Sequence, residues 1–116
     1  MEEQFFEDLK KFIIDNSKLH ELHIYKTMVE NKGITYQLDC YKHSLNSNYY
    51  IDVVRINHDY SVNISMYTRD LDKLPNFETL EQVFDYEREL YDAKEKEELE
   101  RSKRIDNMLK NVTIVE

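Results

Sequence analysis

Two histidines stand close together in His20-Glu21-Leu22-His23, and paired imidazoles are a common beginning of a zinc site. The spacing is wrong for it. Histidines converge on a metal when four apart on a helix, whereas on a strand His20 and His23 point to opposite faces. Cys40, His43 and Asp39 supply the residue types of a thiol nucleophile, its base and an orienting acid. Cys40 and His43 have opposite strand parity, and no glycine lies near them to build an oxyanion turn, so the dyad geometry is missing. His58-Asp59 reads as a solvated hairpin tip. With Gly33 the only glycine, neither a P-loop nor a dinucleotide-binding turn can form. The expectation is a non-enzymatic chain with no catalytic residue, metal ligand or cofactor.

Chemistry of another kind lies in the acids. Glu78, Glu81, Asp85, Glu89 and Asp92 recur in steps of three or four, a helical stripe of carboxylates about 5–6 Å from step to step. Glu87, Glu95 and Glu97 widen it. The plain account is a solvated face opposite Leu80, Val83 and Phe84. The sharper account is mimicry of a nucleic-acid backbone: the stripe would enter a channel kept for DNA or RNA, with the outward tyrosines Tyr41 and Tyr67 as contact anchors. A net charge of −8 disfavours nonspecific binding to nucleic acid or anionic membrane and favours a basic protein partner.

These residues need a scaffold, and the region Leu22–Tyr67 reads as a four-stranded antiparallel meander. Ile34, Tyr36, Leu38 and Cys40 alternate with Thr35, Gln37, Asp39 and Tyr41, a period of two that marks a half-buried strand. The strand before it, Leu22–Glu30, carries Leu22, Ile24 and Met28 at alternate positions. A three-residue loop Asn31-Lys32-Gly33 would pair Met28 with Tyr36, Lys26 with Leu38 and Ile24 with Cys40. Tyr49–Asn57 and Tyr60–Thr68 complete the meander. The latter sends Tyr60, Val62, Ile64 and Met66 inward; the former mixes parities at Val53-Val54 and suggests a bulge near Asp52.

Helices flank the sheet. Phe5, Leu9, Phe12 and Ile13 form one stripe over residues 2–16, widened by Phe6 and Ile14, with a stop in Asp15–Lys18. Thr79-Leu80-Glu81-Gln82 has the form of a capping box, so a second helix begins between Phe77 and Leu80. Its Leu80, Val83, Phe84 and Tyr91 pack on the sheet, with Phe77, Glu87 and Leu90 at the margins. From Lys94 to Arg104 there is one apolar residue, and opposite charges four apart sustain an exposed, projecting helix. Ile105, Met108, Leu109 and Val112 then return at helical spacing. They either pack against a second copy, making a homodimer, or fold back on the same chain.

At 116 residues and 41% apolar composition, the chain suits one α+β domain: a compact part, 1–93, and a charged helical extension, 94–116. The lone Cys40 excludes an internal disulfide and, with inward parity, reads as a buried hydrophobe. There is no apolar run of membrane length, and the start Met-Glu-Glu-Gln lacks signal-peptide order, so a cytoplasmic location is expected. One glycine, one proline and abundant Lys, Asn, Ile and Tyr are what AT-rich codons give, as in a low-GC bacterium or its phages. Small acidic proteins by which mobile elements block nucleases, restriction enzymes or CRISPR effectors are similar in kind, though no motif is shared. The expectation is therefore an acidic protein-binding inhibitor of a nucleic-acid-binding host protein, the alternative being a homo-oligomeric accessory protein that uses residues 105–115.

Overall fold

The computed structural model describes residues 1–17, 24–42, 48–60 and 62–115, with the backbone of 20 and 21. It is an α+β fold: α1 (Glu3–Asn16), β1 (His20–Glu21), β2 (Ile24–Asn31), β3 (Ile34–Lys42), β4 (Tyr49–Arg55), β5 (Asn63–Tyr67), a 3-10 segment (Thr68–Lys73) and α2 (Leu80–Met108). The strands lie in chain order as an antiparallel meander, with β1 a two-residue addition at the edge. Both helices supply buried residues to the core on one face of the sheet. Phe6, Leu9 and Ile13 of α1 and Val83 and Phe84 of α2 meet Tyr36, Leu38, Cys40, Ile51, Val53, Ile64 and Met66.

The centre of the α1 stripe is Phe6–Leu9–Ile13, whereas Phe12 is exposed and Phe5 is half-buried. The expected stripe through Phe5 and Phe12 is thus rotated toward Phe6. The β2–β3 register also differs from expectation. Asn31 pairs with Ile34, so the loop has two residues, Lys32 and Gly33, with φ of 51° and 80°. Positive φ at both positions is the type I′ turn, whose twist matches that of the strands it joins. The shift of one residue turns every β2 side chain over. Tyr25 and Val29 pack against the core, while Ile24, Lys26 and Met28 lie outside. Lys26 meets Asp39 rather than Leu38, which removes the one mismatch of the expected pairing.

Strand β4 has no bulge: its register with β3 and β5 runs unbroken, and Ile56 N–H continues the ladder to the Thr35 carbonyl at 2.9 Å. The mixed parity has another cause. Val54 is half-buried on the outer face and the inward position after Val53 is Arg55. Helix α2 begins at the capping box: Thr79 Oγ1 accepts from Gln82 N–H at 3.3 Å and Gln82 Oε1 accepts from Thr79 N–H at 3.3 Å. Its last buried residue is Tyr91, and at 1.5 Å per residue the remaining turns to Met108 carry it about 25 Å further. The molecule is accordingly long, 58 × 31 × 30 Å. Among the described residues, no helix is long and apolar enough to cross a membrane.

Candidate partner-binding surfaces

On the sheet face away from the helices, the register sets three rows across the strands. The first is Ile24, Tyr41, Tyr50 and Tyr67; the second Lys26, Asp39, Asp52 and Ser65; the third Met28, Gln37, Val54 and Asn63. None of these side chains is buried, and Met28 is more than half exposed. The three tyrosines stack as a ladder, centroids 5.1 Å apart for Tyr41–Tyr50 and 4.1 Å for Tyr50–Tyr67, with planes within 5° of parallel. Arg69 places its guanidinium 5.3 Å from the Tyr67 ring centroid, so the ladder already holds one cation at its end. Sequence alternation found Tyr41 and Tyr67 but missed Tyr50, the ring that joins them. The signal was available, since Tyr50 shares parity with Asp52 on β4.

Beside the ladder, Asp39 and Asp52 are direct cross-strand partners. Like charges in that position destabilise a sheet. Partial burial chiefly holds the Asp39 carboxyl above its usual range and the Asp52 charge adds to this, while Gln37 and Lys26 act in the opposite sense. Gln37 Nε2 donates to Asp39 at 2.9 Å, and Tyr41 Oη donates to Asp52 Oδ2 at 3.0 Å. Burial and that bond push the Tyr41 phenol up to about 12. Tyr50 is raised as well, first by its hydrogen bond with Tyr67 and then by burial.

The helical acids stand elsewhere. Glu78, Glu81, Asp85, Glu89 and Asp92 are all exposed, whereas the tyrosines belong to the sheet face opposite the helices, so the expected partner-binding set splits into two surfaces. Part of the stripe is compensated. Lys32 Nζ lies 3.5 Å from Glu81 and 3.6 Å from Asp85, and Arg88 pairs with Asp85 while donating to Asn31 Oδ1 at 2.7 Å. These contacts clamp the β2–β3 hairpin tip to α2. Glu89 and Asp92 make no ion pair with a described residue.

Glu87 is not part of any surface. It is 0% exposed and receives three hydrogen bonds, from Tyr36 Oη at 2.6 Å, Arg55 Nε at 2.9 Å and Arg55 Nη2 at 2.8 Å. Arg55 also lies 3.8 Å from the Tyr91 ring centroid, and Tyr36 stacks on Phe84 at 4.3 Å. Burial and Glu87 raise the Tyr36 phenol to about 12. For Arg55, burial opposes the charge but the bonds to Glu87 outweigh it, and its pKa rises. The placement of Glu87 with the surface acids is therefore corrected: its i−4 and i+4 neighbours Val83 and Tyr91 put it on the buried stripe, where a two-bond guanidinium offsets the loss of water.

The Cys40 thiol is buried and raised to about 11 by that burial, which keeps it protonated and unreactive. His23, His43 and the His20 side chain lie outside the described residues, as do the pairings suggested for them. His58 is half-buried rather than solvated, and its Nδ1 makes no hydrogen bond with a described residue. Among the described residues, no three His, Cys, Asp or Glu side chains are grouped to hold a metal.

No family model matches this chain. No curated protein and no solved structure matches it either, so its functional reading rests on geometry.

The distal part of α2 carries Ile105 and Met108, with Leu109 and Val112 beyond the helix end, and all four are exposed.

Proposed function

We propose that this chain is a non-enzymatic protein-binding module that docks an arginine-bearing segment of a basic partner on the open face of its sheet. The carrying observation is the row in which Asp39 faces Asp52 across β3 and β4 beside the stacked tyrosines. A guanidinium over that row would relieve the repulsion between the two carboxylates while lying against an aromatic wall. The wall is already assembled, so little side-chain entropy is lost on binding. Basic segments of this composition are typical of proteins that hold nucleic acid, and covering one would inhibit its owner. The module then belongs in kind with the inhibitors that phages and other mobile elements direct at host nucleases and defence enzymes.

Mimicry by the helix is the competing mode, supported by the exposed Glu89 and Asp92. Two double variants of equal net charge separate the modes: Asp39→Asn/Asp52→Asn on the sheet and Glu89→Gln/Asp92→Asn on the helix. Each is titrated calorimetrically with nona-arginine and nona-lysine peptides. Sheet docking predicts tighter binding of arginine than of lysine, at least a tenfold loss in the sheet variant and less than a threefold change in the helix variant. The reverse pattern, or equal losses in both, overturns the sheet reading.

A further inference from the structure

We infer that the projecting half of α2 is an arm that pairs antiparallel with the same arm of a second copy. The first ground is location. At 100° per residue, Ile105 and Met108 continue the side of α2 that carries Val83, Glu87 and Tyr91 over the sheet, yet they stand beyond the last buried residue. An apolar stripe thus extends past the body that covers its first half. Met108 is 70% exposed and Ile105 43%.

The second ground is charge order. Residues 95–100 hold Glu95, Glu97, Glu98 and Glu100 against the single Lys96, three net negative charges. Residues 101–104 hold Arg101, Lys103 and Arg104, three positive charges with none negative. Only Lys94–Glu98, at 3.4 Å, forms an ion pair in this part of α2 among the described residues, so the basic block is uncommitted. Equal and opposite blocks in tandem are self-complementary in one orientation. Parallel arms would set acid on acid; antiparallel arms set Glu97 opposite Arg104 and Glu100 beside Arg101 of the second copy, and the two-fold axis repeats each contact, while Lys103 lies on the far side of the helix. In the same register Met108 reaches Ala93 of the second copy, one turn from its Leu90, with Leu109 and Val112 following beyond the helix end. Ala93 and Leu90 are both exposed, and Leu90 is one of the large apolar side chains left uncovered near the body. The pairing therefore covers apolar surface at both ends of each arm and charge in the middle.

Such an interface is weak and salt-sensitive, because its central contacts are exposed ion pairs. It leaves the open sheet faces uncovered, so the dimer would carry two docking faces, and it does not depend on what those faces bind.

Sedimentation equilibrium of the full chain should show a dimer at tens to hundreds of micromolar in low salt, with dissociation increasing at least tenfold in half-molar salt. The variant Arg101→Glu/Lys103→Glu/Arg104→Glu makes the arm acidic throughout, and Glu97→Lys/Glu98→Lys/Glu100→Lys makes it basic throughout. Each variant alone should be monomeric, with unchanged melting of the body, and an equimolar mixture should restore a heterodimer. Asp39→Asn/Asp52→Asn should leave the mass unchanged. A wild-type chain that stays monomeric overturns the proposal. So do single variants that still dimerise, or a folded mixture that does not associate.

Discussion

Glu87 is the residue on which the seat of α2 turns, because its fully buried carboxylate is matched at close range by one guanidinium and one phenol. Removing one partner from such a buried pair costs about 3–5 kcal/mol, since the other charge is left desolvated. Glu87→Gln and Arg55→Met should each destabilise by that order in urea unfolding. The hydrophobic double variant Arg55→Met/Glu87→Leu should lose much less than the sum of the single losses. Additive losses would mean that the pair has no special coupling. In the sequence, Glu87 was hidden by its type. Counting carboxylates along α2 placed it with Glu89 and Asp92, and its spacing to Val83 and Tyr91 put it only at the margin of the packed stripe, because the inward parity of Arg55, which supplies its counter-charge, was not read.

Asp39 gives a residue-scale effect of opposite sign. Its folded-state pKa is raised, so the folded protein holds the proton more tightly than the unfolded chain does and ionisation works against folding. Asp39→Asn should raise the melting temperature at pH 7. The gain should shrink as pH falls through the raised folded value and vanish below the ordinary carboxyl value near 3.8. Thermal melts at pH 7 and pH 3.5 check this, and a gain that persists at the lower pH would refute it.

The elements were legible wherever local chemistry is unambiguous. The Thr79–Gln82 capping box set the start of α2, and alternation set β3 and the inward Ile64 and Met66 of β5. The hairpin register was not legible, because the type I′ turn requires Lys32, a residue with a Cβ, at positive φ. The usual asparagine-glycine signal is displaced by one residue, and Asn31 looked like part of the loop. The strain at Lys32 is held in place by its ion pairs to Glu81 and Asp85 and by the Arg88–Asn31 bond. Gly33→Ala isolates the backbone contribution, since a Cβ there meets nothing within 4 Å while φ stays at 80°. The loss should be about 1–2 kcal/mol in equilibrium unfolding, the cost of a left-handed alanine. A neutral result would show that the turn is not I′ in solution.

For the whole molecule, the α+β layout with both helices on one face followed from the apolar patterns, and the open face opposite them followed from Tyr41 and Tyr67. The joining of these two tyrosines through Tyr50, and the split between the tyrosine face and the helical acids, required the three-dimensional register. The charged composition after Lys94 did announce an arm, and the arm makes a prediction about the molecule as a unit. Helix α2 is continuous, yet only its first half rests on a core. Past Tyr91 the one ion pair among the described residues, Lys94–Glu98, is worth about 0.3–0.5 kcal/mol, too little to protect amides for long. In hydrogen exchange at low micromolar concentration, Val83–Tyr91 should open only with global unfolding, whereas 96–108 should exchange with little protection. Raising the concentration a hundredfold should protect the distal amides and leave the proximal ones unchanged, because a second copy adds its contacts only there. Distal protection that is strong and independent of concentration would mean that the chain covers its own arm. Distal protection that is weak at every concentration would leave the arm unpaired.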